Sequence, residues 1–154
     1  GTMRYRKDYT ETTGTELITN GDFATDTDWT KETGWTISGG TANCLNGVGV
    51  SIYQTNRVVI GKQYKLTFSV SNYSQGYLGS IANDFGAVVA EADGSYELYG
   101  TATSTTFGLT AFSNFIGSID NVSVKEVTGN SYVDMCMKTG ETTYAWTNIT
   151  QNNW

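Results

Sequence analysis

Between residues 35 and 127 apolar residues recur at every second position, not at every third or fourth. In QYKLTFSVS, residues 63–71, Tyr64, Leu66, Phe68 and Val70 share one side, and Lys65, Thr67, Ser69 and Ser71 share the other. Val48, Val50 and Ile52 alternate with Gly49, Ser51 and Tyr53, and Phe107, Leu109 and Ala111 again fall together. In IGSIDNVSV the same count puts Ile116, Asp120, Val122 and Val124 on one side. A period of two marks strands with one packed face and one wet face. Between the runs stand turn formers: Ser38-Gly39-Gly40, Asn46-Gly47, Gly61-Lys62 and Asp93-Gly94. Strands punctuated this way about every 8–12 residues predict an all-β chain, an antiparallel β-sandwich or jelly roll.

The pattern also divides the chain. Residues 1–15 carry no alternating apolar run and read as an extended arm, residues 16–128 as the sandwich. Residues 129–154 read as an appended C-terminal β-hairpin: SYVDMCMKT, a Gly140-Glu141 turn, then TTYAWTNIT and a loose end.

Composition agrees with strands and turns. Of 154 residues 18 are Gly, none is Pro, and 13% are aromatic. The net charge is −6, which argues against nucleic acid, whose phosphates need Lys and Arg. No apolar run approaches the roughly 20 residues of a membrane-spanning helix, and no apolar segment follows the basic N-terminal residues as in a secretion signal. A leading Gly1-Thr2 before Met3 reads as a tag remnant, so a freestanding protein made without a secretion signal is expected. Cys44 and Cys136 are expected as free thiols. The three Asn-x-Ser/Thr sequons, at Asn72, Asn121 and Asn148, are as many as chance supplies in a chain so rich in Ser and Thr.

Catalytic chemistry is sparse. There is no histidine, which removes the usual general base and every Ser-His or Cys-His pairing, and no phosphate-binding glycine motif is present. The chain is expected to be non-enzymatic. The acidic stretch NGDFATDTDWTKETGW, residues 20–35, invites an EF-hand reading. That loop fails, because from Asp26 it has Lys31 where Gly is required and Ile37 where Glu is required. If Ile52 and Leu98 face the core, Tyr53, Glu97 and Tyr99 face out, as does Lys65. These four are the candidate glycan platform, since sugar rings stack on aromatic faces and their hydroxyls bond nearby polar groups. The competing reading has these tyrosines supporting loops or a protein interface.

The segment Leu17-Ile18-Thr19-Asn20-Gly21-Asp22-Phe23, followed by Trp29, Trp35, Gln54, the strand at 61–71 and Ile119-Asp120-Asn121-Val122, resembles the galactose-binding-like carbohydrate-binding modules of families four, nine and twenty-two. The resemblance covers residues 16–127. It implies a sandwich whose first and last strands lie side by side, with a structural calcium held by backbone carbonyls and acids there, which maps to Asp22 and Asp120. Ala24 stands where those families often carry a further Glu ligand. The competing reading has Asp22 closing a turn and Asp120 capping a strand. ELITNGDFATDTDWT and SYVDMCMKTGETTYAWTNIT also resemble bacteriophage structural proteins. That implies a virion surface protein, a capsid decoration or tail-fibre accessory, meeting other virion proteins or sister subunits through its arm and hairpin. The alternative is a module of a secreted polysaccharide-degrading enzyme.

Overall fold

The computed structural model describes residues 3–81 and 83–138, with side chains described over 11–81 and 84–129. The elements are β1 (Met3–Glu16), β2 (Thr30–Lys31), β3 (Trp35–Ser38), β4 (Thr41–Gly47), β5 (Val50–Gln54), β6 (Gln63–Ser80), β7 (Asn83–Asp84), β8 (Gly94–Ala102) and β9 (Phe107–Lys138). Among the described residues there is no helix. The protein is all-β, built as an antiparallel β-sandwich.

Residues 15–126 form one compact unit. Its frame is the long antiparallel pair β6·β9, running from Tyr64↔Glu126 to Ser80↔Leu109. The other edge of β6 carries β8, from Gln63↔Thr101 to Val70↔Gly94. The other edge of β9 carries β5 at residues 107–111 and β4 at 115–119. Register shifts interrupt β6·β9 between Thr67 and Ser69 and on both sides of Gln75. Bulges bend a strand and increase its twist. Here they bend both strands, so that the two halves of β6 and of β9 within this unit face one core.

The core bears out the alternation in β6: Tyr64, Leu66, Phe68 and Val70 are all buried, as are Phe107, Leu109 and Ala111 in β9. Burying each Leu, Phe or Val among them contributes about 1.5–3 kcal/mol. Two expectations fail. Ile119 is fully buried, whereas the plain count placed Asp120 on the side of Val122 and Val124. Asn121 takes a left-handed backbone (φ 52°) where β9 carries an extra residue against β6, and that bulge flips the alternation. Val48, expected on the face of Ile52, is 65% exposed, because it sits in the turn between Asn46 (φ 56°) and Gly49 (φ 65°).

The described residues 3–14 and 127–138 belong to a second unit. Here β1 pairs with β9, and the Thr128 hydroxyl donates to the Thr12 carbonyl at 3.2 Å. The segment expected to be an extended arm is thus a strand paired within its own chain. The first part of the expected hairpin, residues 131–138, continues β9, and its return from residue 139 lies outside the described residues.

Candidate functional site

The acidic entry segment is organised by Asn20, not by its aspartates. The Asn20 side-chain amide donates to the carbonyls of Thr25 (2.7 Å) and Thr27 (2.9 Å), and the Asn20 main-chain carbonyl accepts from the Trp29 indole at 2.9 Å. Phe23 and Trp29 pack with ring centroids 5.2 Å apart, both buried, so the loop is pinned to the core by two rings. The segment then lies along β9: Leu17 N–H donates to Val124 O at 3.0 Å and Val122 N–H to Gly21 O at 2.9 Å. A Cβ on Gly21 would come within 2.1 Å of Val122 O, which explains the glycine. Glu16 binds the same strand, accepting from Val124 N–H at 2.9 Å and from the Ser123 hydroxyl. On the inner side the buried Gln54 amide donates to Thr19 O at 2.7 Å.

Asp22 and Asp120 are therefore carried by segments that run together. Asp22 Oδ1 accepts the Ala24 N–H at 3.4 Å, and Asp120 Oδ1 accepts the Asn121 N–H at 2.7 Å. Among the described residues no three His, Cys, Asp or Glu side chains gather to hold a metal. A calcium here would have two carboxylates plus main-chain carbonyls, against the six to eight oxygens that ion takes.

Of the four residues proposed as a glycan platform, three meet and one stands elsewhere. Lys65 faces Tyr99 across β6·β8, and Thr67 faces Glu97. The Lys65 ammonium lies 3.6 Å from Glu97 Oε1 and 5.8 Å from the centre of the Tyr99 ring, and Tyr99 OH donates to the same Glu97 oxygen at 3.1 Å. The three side chains thus satisfy one another through an ion pair, a cation–π contact and a hydrogen bond. Beside them a shallow cavity of about 420 Å³ is lined by Thr67, Phe68, Ser69, Ser95, Tyr96, Glu97 and Asn121.

Tyr53 lies in a different place, on the outer face of β5. Its cross-strand neighbour on β9 is Gly108, and Ser51 faces Thr110. A Cβ on Gly108 would fall 2.6 Å from Tyr53 Cβ and 2.5 Å from Ile81 Cδ1, so the missing side chain lets Tyr53 and Ile81 approach over the strand. Ser51 and Thr110 are 8% and 9% exposed and their hydroxyls are 2.9 Å apart. One hydrogen bond joins them, which leaves one O–H donor unspent within the pair. Glu32, just past β2, donates its N–H to Ser51 O at 2.9 Å and accepts the Ser51 N–H on Oε2 at 2.7 Å. Ser104 and Thr106 complete a groove of about 500 Å³, with Ser80 and Ile81 on its other wall. Of these residues the sequence singled out only Tyr53. Ser51 and Thr110 sit at outward slots of alternating runs, a signal that was present. Glu32 lies outside any alternating run and had none.

Cys44 is a free, buried thiol, and burial pushes its pKa up to about 11. It stays a protonated, unreactive side chain at neutral pH.

No protein-family model and no curated protein matches the chain. Among solved structures it is similar to one described as "Mannan Binding Module from Man5C", with a TM-score of 0.47 and 16% identity over 66% of this chain and 94% of that one. A shared fold does not by itself carry a function.

Proposed function

We propose that residues 15–126 act as a non-catalytic carbohydrate-binding module whose ligand seat is the groove on the outer face of β5 and β9. One observation carries this reading: Tyr53 stands beside a buried hydroxyl pair and a single carboxylate in an open groove otherwise lined by Ile81 and by Ser and Thr side chains. A pyranose offers an apolar C–H face to such a ring and hydroxyls to such walls. Affinity electrophoresis in gels containing soluble polysaccharides tests it, with mannan, the polymer named for the similar structure, tried first. Retardation that Tyr53→Ala abolishes supports the module. Equal retardation of both forms, or none in any gel, rejects it.

For the whole chain the setting we propose is the surface of a bacteriophage virion, as capsid decoration or tail-fibre accessory. Its support is the resemblance of residues 16–30 and 131–150 to phage structural proteins, together with the pairing of β1 with β9 outside the module. Other virion proteins or sister subunits are the partners this setting implies, and the protein should co-purify with intact particles. A monomer absent from particles yet held by polysaccharide would favour the alternative, a module of a secreted polysaccharide-degrading enzyme.

A structural calcium at Asp22 and Asp120 belongs to the same proposal, supported by the Gly21–Val122 pairing that brings their segments together. Added calcium should raise the melting temperature, and chelator should reverse the rise. No shift with calcium removes the ion from the proposal.

A further inference from the structure

We propose that the Tyr53 groove selects its glycan by charge: it excludes anionic sugars and favours those bearing a protonated amine, of the glucosamine type. This rests on the glycan reading above and adds a chemical class to it. Among the described residues the groove holds one group charged at neutral pH, the Glu32 carboxylate, and no Lys or Arg lines it. One Glu32 oxygen is spent on the Ser51 N–H at 2.7 Å, which ties the carboxylate to the strand that carries the Ser51–Thr110 hydroxyl pair in the same groove. The second oxygen remains to accept from a ligand, since an ionised carboxylate has about four acceptor sites.

The surrounding cations do not neutralise it. Lys31, its neighbour in sequence, is ion-paired with Asp26. Lys62 pairs with Glu126 at 3.2 Å and Lys65 with Glu97 at 3.6 Å. Arg57 reaches toward the Thr19 hydroxyl at 3.4 Å. Residues 15–126 carry five Lys and Arg against eleven Asp and Glu, so the wider field has the same sign as Glu32. A uronate or sulfated sugar would meet a carboxylate and a negative field with no cation in the groove to pair with. A protonated amine would meet a carboxylate with a free oxygen, and the hydroxyl pair would serve the sugar's neutral groups.

The test runs the full-length protein through gels of three polymers of comparable size: a neutral mannan or glucan, partially deacetylated chitosan, and polygalacturonate. The readout is the ratio of affinities, with Glu32→Gln and Glu126→Gln in parallel. In Glu32→Gln the side-chain amide keeps an acceptor for the Ser51 N–H, and circular dichroism confirms that the variant is folded. Chitosan should bind about two- to five-fold tighter than the neutral polymer at low salt, the scale of a solvent-accessible ion pair. That ratio should fall toward one for Glu32→Gln, stay as in the parent for Glu126→Gln, and fall in the parent as salt rises. Retardation by polygalacturonate as strong as by the neutral polymer overturns the charge rule and leaves glycan binding intact. So does a chitosan ratio that Glu32→Gln or salt does not change. Retardation by none of the three overturns the glycan reading and this inference with it.

Discussion

The Tyr53 groove and the Lys65–Glu97–Tyr99 face have nearly the same parts. Each offers a tyrosine on an outward position of an alternating strand, a glutamate and hydroxyl side chains. Their difference lies in what faces the glutamate. On the β6·β8 face Lys65 takes up both Glu97 and the Tyr99 ring, so the cluster closes on itself. In the groove the Glu32 carboxylate accepts a backbone N–H and is paired with no cation, and the glycine opposite Tyr53 lets that ring and Ile81 close over the strand. An aromatic and an acid on the wet face of a sheet make a ligand seat only when the cross-strand neighbours leave them unsatisfied.

The largest expected effect strikes beneath both regions. Leu66, fully buried between Lys65 and Thr67, should cost about 2–5 kcal/mol when cut to Ala, read as a loss of denaturant midpoint. Parental stability in that variant would mean that Leu66 does not pack in the core. The comparison itself is sharpened by paired truncations. Tyr53→Ala should weaken polysaccharide binding about tenfold or more with little change in stability, the behaviour of an aromatic anchor. Tyr99→Ala should leave binding within about twofold, and a reverse order would move the ligand seat to the β6·β8 face.

Cys44 gives a third check, because it lies under the sheet and not on either face. Its pKa is about 11 in the folded protein against an ordinary 9.0, so unfolding releases a proton above pH 9 that the native state holds. That contribution to stability is complete below about pH 9 and is lost as pH rises toward 11. Thiol alkylation of Cys44 at pH 8 should be slow until denaturant is added, followed by mass of the peptide that contains it. Rapid labelling of the native protein would contradict its burial.

The smallest effect is on the closed cluster. Glu97→Gln should change stability by no more than about 1 kcal/mol, since the Lys65–Glu97 pair is partly exposed and screened by salt. A larger loss would mean that the cluster supports the sheet.

Much of the architecture could be read directly. The strict alternation of Tyr64, Leu66, Phe68 and Val70 named a strand, its core face and its wet face, because a period of two allows no other burial. The same rule misplaced Ile119 and Asp120, for one residue inserted at a bulge reverses every side chain beyond it and leaves no mark in composition. The abundance of Asn was visible, but not that Asn20 would hold the entry loop or that Asn121 would take a left-handed backbone. For the site, Tyr53 was visible as an outward ring. Glu32 was not, since its place follows from the pairing of β2 with β5, a contact between segments about twenty residues apart.

By itself the sequence determined an all-β chain, the strand faces of its regular runs, an acidic surface poor in cations and the lack of histidine chemistry. These follow from local periodicity and residue type, which need no knowledge of neighbours. Only the tertiary structure decided that β6 and β9 bend into both layers, that Lys65 closes over Glu97 and Tyr99, and that Tyr53 keeps an open groove with Glu32. Those outcomes depend on register and bulges, and register is set by which strands meet across the sheet, a choice made by packing of the whole core.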